Sequence, residues 1–329
     1  MFRLDEKLAR VRAGQYRRAD FVIAAALDSE MGPGLHGFGP MRERDGTLKE
    51  RLRTRAEFLE VVEAVIKQDV IDVMLTSVSN LEILTRRGAY LGVGVKPAIR
   101  ANDATDVWRL RGATYHNQPS RPFRTASLAR LRGLTDLGLY SITFNNDLDA
   151  DLESLWDFAE FRAETAERGF FYFLEVFNPN AAANLSDAEM PHFVNDAIVR
   201  CLAGLTEAEL PRFLKVVYNG PRALEELASF DPNLVVGVLG GGAGTTRDCF
   251  ELLRQAEKYG ARVALFGRKI LLAESPLDMA RLMRAVVDGA VGPAEAVVAY
   301  HDALRKAKIA ADRDLAADNE ITEAPLKAR

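Results

Sequence analysis

Apolar residues along this chain fall into short runs rich in Val, Ile, Leu and Phe, and several runs are followed by stretches whose apolar positions recur every three or four residues. The first pattern predicts buried strands and the second predicts amphipathic helices. Strands are expected at "FVIAAALD" (21–28), "VIDVMLT" (70–76), "LGVGVKPAI" (91–99), "LYSITFN" (139–145), "FFYFLEVF" (170–177), "RFLKVVYN" (212–219), "LVVGVLG" (234–240) and "ARVALFG" (261–267). Between them, "DLESLWDFAEFRAETAERG" and "TTRDCFELLRQAEKYG" open on helix-capping residues and close on Gly, the usual punctuation of a helix. Alternating strands and helices imply a parallel sheet. Eight repeats over about 250 residues predict closure into a (β/α)8 TIM barrel, with an open doubly wound sheet as the alternative. The expected layout is a single domain, 1–329, with its barrel core at about 20–275. A helix over 1–19 precedes the core, and a helical extension running into an extended tail, 276–329, follows it.

Two segments exceed what a barrel needs. Residues 29–50, "SEMGPGLHGFGPMRERDGTLKE", follow the first strand, and residues 112–126, "GATYHNQPSRPFRTA", carry Arg121 and Arg124. Active sites of this fold gather at the C-terminal ends of the strands, so both segments are candidate lids or substrate contacts; surface excursions or subunit contacts are the plainer alternatives.

Composition narrows the class. With 43 Lys and Arg against 47 Asp and Glu, and no charged block, nothing advertises a nucleic acid or an anionic membrane as partner. No export signal is visible, and the longest apolar runs are far shorter than the roughly 20 residues of a membrane span. Two cysteines, Cys201 and Cys249, exclude a disulfide framework and suit a reducing cytoplasm. A homo-oligomer is expected, as for many barrels with extra terminal helices.

One residue interrupts this pattern. In "PRFLKVVYNG" (211–220) Lys215 stands inside an apolar run, where an ammonium is costly unless it is paired or gives up its proton. The preceding strand poses the same question with Glu175 in "FFYFLEVFNP". The two form either a buried ion pair or a proton-transfer pair at one rim. The first strand ends in "AALDSEMG" and delivers Asp28 to that rim. The seventh ends in "GVLGGGAGTT", where Gly240, Gly241 and Gly242 precede a helix start, and the eighth ends in "ALFGRKI" with Gly267 and Arg268. Loops after strands seven and eight commonly hold phosphate in this fold. An amine, two carboxylates and an anion cradle on one face point to chemistry on a phosphorylated carbonyl compound.

At these residues the sequence resembles the class I, Schiff-base-forming barrel aldolases, especially bacterial tagatose-bisphosphate and archaeal-type fructose-bisphosphate aldolases, over about residues 20–275. The resemblance places Lys215 in "FLKVVYNG" at the imine-forming lysine, Glu175 in "FLEVFNP" at the acidic position of strand five, and Asp28 at the strand-one aspartate. "AEKYGARVALFGRKI" is similar to their last strand with its Gly-Arg phosphate element. Where tagatose-type enzymes carry a lysine early in strand four, "LYSITFNND" offers Ser141.

The implied chemistry is that of an amine that adds to a ketone and becomes an iminium electron sink. Desolvation by Phe213, Val216 and Val217 is expected to favour the neutral amine. Glu175 is the expected proton shuttle and Asp28 a hydroxyl holder or lysine orienter; Tyr218 and Asn145 either reach the same rim or serve as packing and turn residues. The substrate expected is a phosphorylated sugar, with no cofactor. Three alternatives stand beside this reading. One is a sugar-phosphate-binding barrel without turnover. Another is a metal-dependent epimerase or aldolase, for which His36, His116, His192 and His301 form no metal motif. The last is imine formation at Lys96 instead of Lys215.

Overall fold

The computed structural model describes residues 2–181, 184–240 and 244–328. Eight parallel strands close into a barrel: β1 (Val22–Ala26), β2 (Val73–Thr76), β3 (Lys96–Arg100), β4 (Leu137–Thr143), β5 (Phe171–Phe177), β6 (Leu214–Val216), β7 (Gly237–Leu239) and β8 (Val263–Phe266). Neighbours in sequence are neighbours in the barrel, and β1 pairs with both β2 and β8. This is the (β/α)8 barrel that the alternation predicts, and every predicted strand lies within or overlaps its observed counterpart.

Several helices begin where a side chain satisfies free N–H groups of the first turn. Before the barrel comes α1 (Arg3–Arg12). Thr54 and Glu57 form a capping box on α2 (Arg55–Gln68), and Ser77 caps α3 (Val78–Arg86). Asp147 accepts from the Ala150 amide to open α4 (Leu148–Arg168), so this helix starts before the predicted Asp151. Next come α5 (Met190–Leu202) and α6 (Pro221–Phe230), then α7 (Thr246–Lys258) with a Thr245–Asp248 capping box. The remaining helices are α8 (Arg268–Leu271), α9 (Pro276–Val287), α10 (Pro293–Ala307), α11 (Leu315–Asp318) and α12 (Ala324–Lys327). No helix among the described residues is long and apolar enough to cross a membrane.

Two apolar layers result. Outward strand side chains pack beneath the helices, while inward ones such as Val22, Val73, Leu139, Phe173, Phe213 and Leu265 fill the barrel. Leu4 and Leu8 of α1 close its lower end. There Asp72, fully buried, is bound by Lys7, Arg3 and Arg284 at 2.8–2.9 Å. Lys96 lies at this same end, paired with Asp5 at 3.3 Å and Asp136 at 3.0 Å. The lower half is therefore structural, and chemistry is left to the opposite mouth.

The C-terminal segment corrects one expectation. Instead of running out as an extended tail, it folds back onto α7: Leu326 is buried, Gln255 Nε2 donates to its carbonyl at 2.8 Å, and the Thr322 amide donates to Asp248 at 2.8 Å. Buried hydrogen bonds of this kind hold the segment against α7.

Candidate active site

Strand alternation sends Phe213 and Lys215 to the same, inner face of the barrel. Phe213 stacks on Phe173 with ring centroids 4.5 Å apart, and one step above them Lys215 and Glu175 stand in register across β5 and β6. Lys215 Nζ pairs with Glu175 Oε1. The other carboxylate oxygen accepts from Ser141 Oγ at 2.7 Å, because Ser141 is in turn the β4 register partner of Glu175. Asn102 fixes the Ser141 backbone, accepting its amide at 2.6 Å and donating to its carbonyl at 2.8 Å.

Arg100, at the end of β3, completes the layer. Its Nη2 lies 3.4 Å from Glu175 Oε2, its Nη1 donates to Ser141 Oγ at 2.9 Å, and its Nε donates to Asp28. Two cations and two carboxylates thus form one buried, connected network. Burial alone would raise the Asp28 carboxyl. The charge and hydrogen bond of Arg100, helped by Lys215, outweigh it and hold Asp28 below its ordinary range. For Arg100 burial opposes the charge, and Asp28 and Glu175 more than restore it.

The network forms the base of a cavity of about 440 Å³. One wall comes from Gly240, Gly267, Arg268 and Lys269; the segment after β1 contributes Met31 and His36, and the segment after β3 contributes Arg109. The region after β1 therefore does cover the mouth up to about Pro40, beyond which Pro40–Arg42 and Leu48–Leu52 form a hairpin. Gly240 and Gly267 line the cavity and are demanded by packing. A Cβ on Gly267 would come 2.6 Å from the Ala26 carbonyl, and one on Gly240 would come 2.4 Å from the Phe266 ring. Gly241 and Gly242 lie outside the described residues. At the start of α7, the Thr246 amide already donates to Asp318 at 2.8 Å and the Thr245 amide to Asp248 at 2.9 Å. Arg268 and Lys269 are the basic side chains of this wall among the described residues. Burial lowers Lys269 below its ordinary value, and it donates to the Gly244 and Thr245 carbonyls.

Several residues fall elsewhere. The Tyr218 hydroxyl donates to Gln255 at 2.5 Å on the helix side of the barrel, and Asn145 accepts the Ser120 amide at 3.0 Å; neither lines the cavity. Arg121 and Arg124 pair with Glu153 and Glu164 of α4, away from the mouth. Among the described residues no three His, Cys, Asp or Glu side chains converge to hold a metal. Sequence reasoning missed Arg100, Arg109, His36 and Lys269. It also missed Asp106, a buried carboxyl raised by desolvation that accepts from Ser120 Oγ at 2.8 Å and Thr143 Oγ1 at 3.1 Å.

No protein-family model matches this chain, and no curated protein does. Solved structures do. The structure of an archaeal fructose 1,6-bisphosphate aldolase matches 87% of this chain and 99% of its own, with a TM-score of 0.61 at 16% identity. By fold, this chain is a (β/α)8 barrel similar to that one. A second match is an archaeal fructose-1,6-bisphosphate aldolase whose catalytic lysine is bound covalently to the carbinolamine intermediate of its substrate, with a TM-score of 0.62, 16% identity, and coverage of 87% and 100%. The fructose-bisphosphate aldolase from Slackia heliotrinireducens matches 91% of both chains at a TM-score of 0.61 and 15% identity. The barrel fold is thus shared over most of this chain with proteins of very different sequence.

Proposed function

We propose that this protein is a class I aldolase that breaks or forms a carbon-carbon bond in a phosphorylated ketose or related sugar through an imine on Lys215. One observation carries the reading: a buried lysine on the inner face of β6 contacts a carboxylate at the base of an open cavity. Lys215 passes its proton to Glu175, and the neutral amine attacks the substrate carbonyl. Glu175 returns that proton to the carbinolamine hydroxyl, which leaves as water and yields the iminium. A base, again Glu175, then takes the proton from the hydroxyl beyond the scissile bond. That bond breaks, its electron pair moves toward the iminium nitrogen, and an aldehyde and an enamine remain. Protonation and hydrolysis of the enamine release the ketone and regenerate the amine. Arg100 and Ser141 hold Glu175 in place, Asp28 anchors Arg100 and faces substrate hydroxyls, and Arg268 with Lys269 takes the phosphate.

The same ion pair also suits a barrel that binds sugar phosphates without turnover. Borohydride separates the two readings, because it reduces an iminium to a stable secondary amine. Incubation with dihydroxyacetone phosphate and then borohydride is expected to add the mass of the reduced adduct at Lys215, and Lys215→Met to abolish both adduct and turnover. An untrapped protein that turns over its substrate, or an adduct on Lys96, would overturn the assignment.

A further inference from the structure

Behind the Arg268 and Lys269 wall lies a second cavity of about 280 Å³, which shares Pro40, Arg268, Lys269 and Leu272 with the first but is lined by neither Lys215 nor Glu175. It sits between the hairpin after β1, α8 and the returning C-terminal segment. Arg53 faces into it. Only 8% exposed, the Arg53 side chain makes one hydrogen bond among the described residues, from Nη1 to the Phe38 carbonyl at 2.9 Å, and no ion pair. A guanidinium has five donors and stays charged. Burial without a counter-ion is costly for such a group, and both burial and the neighbouring Arg42 lower its affinity for its proton.

The carboxylates of the cavity do not relieve it. Asp312 is taken by Arg42, Asp318 by His301 at 3.0 Å and the Thr246 amide at 2.8 Å, and Glu274 by the Tyr300 hydroxyl at 2.9 Å and the Asp312 amide at 2.8 Å. Among the described residues Lys269, on the shared wall, bonds backbone carbonyls and no carboxylate. Of the basic side chains in the lining, Arg42 pairs with Asp312 and Arg313 lies 3.9 Å from Asp318, while Arg53 pairs with none of the three carboxylates among the described residues. We infer that this cavity is a binding site for a tetrahedral dianion, orthophosphate or a phosphate monoester, separate from the Lys215 cavity and held by the fork of Arg53 with Lys269 beside it. Since Arg268 and Lys269 belong to both walls, its occupant acts on the reaction cavity through them.

The test is an orthophosphate titration by calorimetry, with thermal melts at constant ionic strength with phosphate or chloride. Wild-type protein is expected to bind orthophosphate and gain Tm from it. Arg53→Met, which keeps most of the apolar stem, should weaken binding at least about tenfold and lose that gain. Equal binding by Arg53→Met, or none by the wild type, would overturn the site. If Arg53→Met does not fold, Arg53→Lys keeps the charge without the planar fork; its orthophosphate affinity should fall at least about threefold, and an unchanged affinity overturns the proposal. Lys215→Met tests separateness, because Lys215 lines the first cavity and not the second: Arg53-dependent orthophosphate binding should persist in it, whereas loss of that binding would place the anion in the Lys215 cavity and overturn the proposal. None of these readouts depends on an imine at Lys215.

Discussion

Arg100 Nη2 lies 3.4 Å from Glu175 Oε2 while Lys215 Nζ closes on Oε1, so one buried carboxylate is shared between two cations from different strands. Removing either cation therefore has consequences for charge balance as well as for contact. Arg100→Met would leave Asp28 and Glu175 with Lys215 alone, and breaking a buried pair in this way costs about 3–5 kcal/mol. Urea unfolding should register that loss, and adding Asp28→Asn should recover part of it. A cost below about 1 kcal/mol would show that Arg100 is not the electrostatic hinge of the layer.

Glu175→Gln tests proton transfer apart from shape. The amide fills the same space and still accepts from Ser141, so fold and substrate binding should persist while turnover falls roughly 100-fold or more. Turnover at the wild-type rate would reduce Glu175 to a structural partner of Lys215.

Asp28 predicts a direction with pH. Its carboxyl titrates lower in the folded protein than the ordinary 3.8. The stability it contributes is thus fully present above the ordinary value and is lost as pH falls through the lower, folded-state one. The stability gap between wild type and Asp28→Asn should be widest near neutrality and should narrow only in acid. Urea titrations across roughly pH 2.5–7 would measure it, and a gap that widened in acid would contradict the ionised assignment.

Arg268→Ala should raise KM for a phosphorylated substrate about tenfold or more, equivalent to ~1.4 kcal/mol, with a smaller change in kcat. Steady-state kinetics with a phosphorylated substrate and its unphosphorylated counterpart provide the check. An equal loss for both would remove phosphate from the role of Arg268.

The strands were legible because each is apolar on both faces, and Lys215, Glu175 and Asp28 were legible because each breaks such a run near its upper end. Arg100 was missed for a register reason. The run "LGVGVKPAI" suggested a strand ending at residue 99, but the strand begins at Lys96 and ends on Arg100. Alternation through Lys96, Ala98 and Arg100 was the available signal, since it puts a polar side chain at each end of one inward face. Lys96 drew attention for the same reason, and only the arrival of Asp5 from α1, with Asp136 ahead of β4, explains its burial. Arg53 sits in the charged stretch "KERLRTRAE", which reads as a solvated surface until the hairpin and the C-terminal segment cover it. The docked tail was illegible in the same way, because its partners lie on α7.

Closure of the barrel also imposes an order on its making. Val22 pairs with Val263 and Ala25 with Phe266, so during synthesis one edge of the first strand has no partner until the eighth has left the ribosome. A nascent chain exposes that edge, together with the unfilled barrel interior, for nearly the whole of translation, and such edges recruit wrong partners. The first strand is therefore expected to stay open until the last is made, and ribosomes stalled before β8 should carry chains that proteases still cut within β1.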